Sequence, residues 1–109
     1  GLALSSRNAY LAPEDRQAAT VLFRALTVAR EAIEGGERSA KVLRDVLWQT
    51  LASESRFDPE YADVVDADTF RPVEYLDGTI VIPVAGHLGR TRLIDNLRIE
   101  MQELPQERV

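Results

Sequence analysis

Thr79-Ile80-Val81-Ile82-Pro83-Val84-Ala85 is the stretch on which the fold turns. Its β-branched side chains favour an extended, half-buried backbone and predict a buried strand. Pro83 has no N–H to give a ladder, which predicts an edge or a bulge at that place. Just upstream, Asp77-Gly78 is a strong turn signal. Just downstream, Gly86-His87-Leu88-Gly89-Arg90 predicts a turn. Thr91 to about Met101 then returns as a final strand, with Leu93, Leu97 and Ile99 on one face. Tyr61-Ala62-Asp63-Val64-Val65-Asp66 reads as a short strand before it, followed by a turn region from Asp68 to Pro72. The back half of the chain is therefore β.

The front half has a different period. Ala18, Ala19, Leu22, Leu26, Ala29 and Ile33 recur mostly at spacings of three and four, which predicts a helix from Pro13 to about Glu34. Pro13 suits its first position, and Glu14 and Asp15 place negative charge where the helix dipole favours it. Ala12 would be the N-cap, a poor one. Val21, Phe23, Ala25 and Val28 widen the apolar stripe and predict neighbours on more than one side. Gly35-Gly36 stops the helix. Ser39 caps a second helix, Ala40 to about Ser53, whose buried face is Val42, Leu43, Val46, Leu47 and Leu51, with Trp48 off its centre. Ser53 to Pro59 reads as a connection anchored by Phe57. Helices followed by strands predict an α+β domain: two main helices packed on a small antiparallel sheet of about three strands.

Composition removes several classes of function. The 109 residues are 45% hydrophobic and 28% charged, the balance of one globular domain. No run approaches a membrane span, and no signal peptide is visible. Cysteine is absent, so disulfides and thiolate metal sites are excluded. A single histidine, His87, leaves little for a zinc site or a histidine triad. A net charge of −5 argues against nonspecific nucleic-acid binding. The opening Gly1 in place of Met predicts excision or removal of a tag.

Ser5-Ser6-Arg7-Asn8, following the apolar Leu2-Ala3-Leu4, is the densest cluster of ligand-gripping side chains. Hydroxyls and loop N–H groups donate to phosphate oxygens, and arginine adds a planar, permanently charged fork. The same residues before a helix also serve as ordinary turn and capping chemistry, and spacing alone leaves both readings open. Arg92 and Asp95, within Thr91-Arg92-Leu93-Ile94-Asp95-Asn96, can reach a ligand at the sheet edge or be charges of a half-exposed strand. His87 reads as a solvated turn residue. Asp63, Asp66 and Asp68 lie close in sequence, but without a glycine-centred calcium loop they read as the solvent side of a strand and its turn. No metal site is predicted.

Taken together, Gly1-Leu2-Ala3-Leu4-Ser5-Ser6-Arg7-Asn8-Ala9-Tyr10-Leu11, Asp63-Val64-Val65-Asp66-Ala67-Asp68-Thr69 and Gly89-Arg90-Thr91-Arg92-Leu93-Ile94-Asp95-Asn96 resemble the C-terminal domain of the pantoate–β-alanine ligase family, in the right order over nearly the whole chain. The resemblance implies an enzyme that joins pantoate to β-alanine with ATP and magnesium, through a pantoyl-adenylate, releasing AMP and pyrophosphate. It implies that the Ser-Ser-Arg loop corresponds to the KMSKS-type loop of nucleotidylyl transferases. Leu4, Ser5, Ser6 and Arg7 would then bind ATP, with Ser5, Ser6 and Arg7 acting on its phosphates. Arg7 stands where lysine supplies the charge in the wider superfamily. Ala12, where family members often carry Ser or Asp, and Pro83 depart from the pattern.

The family's Rossmann-like half, with its histidine motif and its pantoate and β-alanine pockets, has no counterpart in these residues. The resemblance therefore implies that residues 1–109 are the lid domain of that ligase and that residues 1–12 are its ATP-contacting loop. It also implies inactivity of the chain alone, a cytoplasmic location and a homodimeric full-length enzyme, with neither nucleic acid nor membrane as partner. The competing expectation is a non-catalytic interaction or dimerisation module.

Overall fold

The structure, a computed structural model, describes residues 13–101, the side chain of residue 14 excepted. Helix α1 spans Pro13–Glu34 and α2 spans Ala40–Ala52; strands follow at Phe57–Ala62 (β1), Val65–Asp66 (β2), Thr79–Leu88 (β3) and Thr91–Glu100 (β4). The α+β architecture is as expected, with both helices on one face of an antiparallel sheet.

Local chemistry accounts for the helix ends. Gly36 adopts φ 112°, and beyond it the Glu37 N–H donates to the Ala32 carbonyl at 2.9 Å while the Gly36 N–H donates to Ile33 at 3.0 Å. These bonds satisfy carbonyls that the end of α1 would otherwise leave open. Arg38 Nη1 adds a bond to the Ile33 carbonyl at 2.8 Å. Ser39 caps α2, accepting the Val42 N–H. The predicted stripe of α1 is buried from Ala18 to Ile33, joined by Val21 and Ala25; Leu43, Leu47 and Leu51 are buried on α2. Phe23, Val28, Val42 and Trp48 remain exposed.

The sheet has four strands, and β3 organises it. β4 pairs with β3 along its whole length, from Thr79↔Glu100 to Leu88↔Thr91. A strand has two edges, so β1 and β2 must share the other one. β1 runs beside Val84 to Leu88, and β2 beside Ile80 and Val81. They are the two arms of one bent strand, so the sheet is three strands wide, as expected, though built from four segments. Tyr61–Asp66 was expected as one strand and Ser53–Pro59 as a connection. The structure instead breaks the strand at Asp63-Val64 and begins β1 at Phe57, with a bulge between Pro59 and Tyr61.

Pro83 lies inside β3 with neighbours on both sides, and the bent strand explains why it is tolerated. Leu88 and Thr91 close the two-residue turn Gly89-Arg90, so they form a hydrogen-bonded pair, and such pairs alternate from there. Pro83↔Asn96 falls on a pair that needs no hydrogen bond. The proline nitrogen faces the break between β1 and β2, where its carbonyl accepts the Asp63 N–H at 3.2 Å. No ladder bond is lost.

The turn is also shorter than expected: Gly86, His87 and Leu88 belong to β3. Gly86 pairs with Pro59 and Leu93, and its place in the strand requires glycine because the Phe57 ring crosses it. A Cβ there would overlap the Phe57 ring and lie 2.5 Å from the Asp58 carbonyl oxygen. Ile80, Ile82, Val84 and Leu88 point into the core beneath the helices, with Leu93 and Ile99 beside them on β4.

Candidate functional site

The strongest sequence candidates, Leu4, Ser5, Ser6, Arg7 and Asn8, lie outside the described residues. The chain enters the described fold at Pro13, where α1 begins. In that first turn Asp15 Oδ1 accepts Arg56 Nη2 at 2.7 Å and Nε at 3.0 Å. This pair ties the start of α1 to the connection between α2 and β1.

Arg92 and Asp95 do not converge. They are three residues apart on β4, an odd spacing, and a strand sends such residues to opposite faces. Arg92 lies on the face away from the helices. Its Nε donates to Glu60 Oε1 at 2.8 Å and its Nη2 to Oε2 at 3.3 Å. His87, its cross-strand neighbour, brings Nδ1 to 4.0 Å from the same carboxylate. His87 is thus a half-exposed strand residue rather than a turn residue. The Arg92 hydrogen bond, more than any other influence, holds the Glu60 carboxyl below its ordinary value, and Glu60 raises Arg92 in return.

Asp95 points the other way, under α1, and is only 8% exposed. Its Oδ1 accepts the N–H of Asn96 at 2.8 Å. It lines a hollow of about 150 Å³ together with Phe23, Leu26, Thr27 and Arg30 of α1 and Asn96 and Leu97 of β4. Phe23 also borders a second, larger hollow of about 410 Å³ between the helices, lined by Arg24, Thr27, Val28, Gln49, Thr50 and Ser53. The exposed apolar side of α1 that its sequence announced therefore opens onto two grooves.

Of the three aspartates after β1, the carboxylates of Asp63 and Asp66 are engaged by neighbours, and Asp68 takes part through its backbone N–H. Asp63 accepts Arg44 Nε and the Val64 N–H. Asp66 Oδ1 accepts the N–H groups of Asp68 and Thr69, at 2.8 and 3.0 Å, and the Thr69 bond foremost holds its carboxyl low. Among the described residues no three histidine or carboxylate side chains gather as a metal site.

Two features were not singled out from sequence. Arg44 reaches from α2 to Asp63 and to the carbonyls of Val64 and Val73, closing the segment between the strands. Phe70 sits at φ 58°, a left-handed backbone that large side chains rarely adopt, and is 69% exposed. Its sequence signal is the turn region from Asp68 to Pro72, in which it lies.

A sequence model of the family described as pantoate-beta-alanine ligase matches residues 1–98. The pantothenate synthetase of Heliobacterium modesticaldum is 48% identical over 101 residues, covering 93% of this chain and 36% of that protein. That of Salinibacter ruber is 48% identical over 103 residues, covering 93% of this chain and 35% of that protein. The crystal structure of pantothenate synthetase from Thermus thermophilus superposes with a TM-score of 0.83 at 38% identity, over 93% of this chain and 36% of that one. The chain thus spans little more than a third of its relatives' length, and within that span both sequence and fold place it in the pantoate-beta-alanine ligase family.

Proposed function

We propose that this chain is the lid domain of an ATP-dependent ligase that condenses pantoate with β-alanine. In that reaction the pantoate carboxylate attacks the α-phosphorus of ATP and displaces pyrophosphate, and the β-alanine amine then displaces AMP from the pantoyl-adenylate. The observation that carries the reading is the family match over residues 1–98, which includes the 4–7 stretch. Leu4, Ser5, Ser6 and Arg7 form the ATP-contacting loop. Ser5 and Ser6 donate to phosphate oxygens, and Arg7 offsets charge on the departing pyrophosphate. The packed α+β body behind the loop closes as a lid, excluding water that would hydrolyse the adenylate. Magnesium accompanies ATP in this reading. The described acidic residues do not form a cluster that would hold it, so it is assigned no step on them. The setting is cytoplasmic and the full-length enzyme a homodimer. No described helix is long and apolar enough to cross a membrane.

Two measurements test this reading. The purified 109-residue chain forms no pantothenate from pantoate, β-alanine and ATP; measurable product would overturn the lid assignment. In a full-length family enzyme carrying this sequence, Arg7→Ala slows adenylate formation on the order of 10²-fold, the scale of losing one transition-state charge partner, and loosens pantoate binding far less. Unchanged pyrophosphate release would remove Arg7 from the chemistry.

The open groove between α1 and α2, with Phe23 and Val28 exposed along it, favours a second reading: a non-catalytic interaction module. Sedimentation at several concentrations separates the two. A dimer lost on Phe23→Ser would support the module, and a monomer throughout would leave the lid.

A further inference from the structure

Asp95 is the described charged side chain most fully withdrawn from water, and its surroundings only half satisfy it. An ionised carboxylate has two oxygens and accepts only. Oδ1 takes the Asn96 N–H. Among the described residues Oδ2 has no partner, although a buried charge without partners is costly. Asp95 lines an open space of about 150 Å³, several times the ~30 Å³ that a water occupies in the liquid. Leu26 and Leu97 give this hollow apolar walls, Phe23 an aromatic surface at its rim, and Thr27 and Asn96 further polar groups.

We propose that this hollow is a binding site for an organic cation, an ammonium or guanidinium head on a short alkyl stem, with Asp95 as its counter-ion. The head would donate to Oδ2 in a charge-assisted bond, and the stem would lie on Leu26 and Leu97. An aromatic face such as that of Phe23 also attracts cations. A divalent metal is a poor fit, since it wants six or more oxygens and only one carboxylate is at hand. An anion is a poor fit as well. The hollow's cation, Arg30, is 55% exposed and directs Nε to Glu34 at 3.2 Å, whereas the carboxylate lies deep. The site is built from α1 and β4 residues alone and does not depend on the ligase reading.

Titration of the 109-residue chain with ethylguanidinium, followed by NMR at the Asp95 carboxyl carbon and the Asn96 amide, tests the site. Saturable shifts at both are expected, weakened about tenfold or more in Asp95→Asn, as for loss of one charge-assisted bond. Urea, neutral and nearly isosteric with guanidinium, should leave both signals in place. N-acetylarginine amide, run in parallel, identifies the source of the head. Tighter binding than ethylguanidinium assigns it to a polypeptide side chain, and equal or weaker binding to a free small molecule. Equal shifts with urea, no shift up to about 100 mM of the cation (a free energy too weak for a built site), or an unchanged response in Asp95→Asn would each overturn the proposal. The urea comparison uses the unaltered chain and stands even if the variant folds poorly.

Discussion

Arg44 Nε on α2 lies 2.5 Å from Asp63 Oδ1, at the corner where β1 gives way to β2. The same guanidinium donates through Nη2 to the Val73 carbonyl. One side chain therefore fastens the bent strand and the segment that follows it to the helix layer. Arg44→Ala would leave the half-buried Asp63 carboxylate with only the Val64 N–H and the Val73 carbonyl without its Arg44 donor. The expected loss is about 2 kcal/mol, or about 10 °C in the melting temperature of a domain this size. Arg44→Lys should recover less than half, because an ammonium cannot serve both acceptors in the same fork. A lysine variant that melts with the parent would show that charge alone suffices.

Gly86 gives a prediction of another kind. Its missing side chain makes room for Phe57 and for the Asp58 carbonyl. Gly86→Ala is expected to destabilise by about 2–3 kcal/mol, the upper part of the usual range for overpacking, because backbone as well as side chain stands in the way. Adding Phe57→Leu should not restore stability, since the Asp58 carbonyl is backbone and cannot swing away. Denaturant midpoints of the single and double variants decide the matter.

Glu60 and Asp66 are both held low, by Arg92 and by the Thr69 and Asp68 N–H groups respectively. A carboxyl held below its unfolded value stabilises the fold at pH above that unfolded value, and the contribution is lost as pH falls through the folded value. Carbon-detected titration should find both groups ionising below ordinary glutamate and aspartate. Arg92→Gln should move Glu60 upward and leave Asp66 in place. A Glu60 that titrates identically in the variant would mean that the ion pair does not form in solution.

Phe70 holds a left-handed backbone while burying little. Replacing it with glycine removes a strain on the order of 1 kcal/mol, partly offset by the greater freedom of glycine in the unfolded chain. Phe70→Gly should therefore melt a few degrees higher, or at worst unchanged, by the same scale. A marked fall in melting temperature would show that the Phe70 ring packs in solution more than its exposure indicates.

Much of this fold was legible one residue at a time. The helix from Pro13, its stop at Gly36 and the Ser39 cap follow from bonds made within a few residues, and the structure reproduces them. β3 and β4 were legible for the same reason: a β-branched run, a short turn and a return strand are neighbours in sequence. The Ser5 to Arg7 loop was legible only as a pattern of donors, and its resemblance to a family carried more than its spacing did.

What sequence alone determined, then, is the class of the fold, the two helices with their buried stripes, the hairpin and the family. Tertiary structure decided where long-range pairing overrides local preference. Phe57-Asp58-Pro59 is a strand only because β3 offers it an edge, and Pro83 is tolerated inside β3 only because the opposing strand breaks there. Strand parity parted Arg92 from Asp95, giving one to Glu60 and the other to the hollow under α1. Pairing partners lie tens of residues away in sequence, and no local pattern says which edge, which register or which face they will meet.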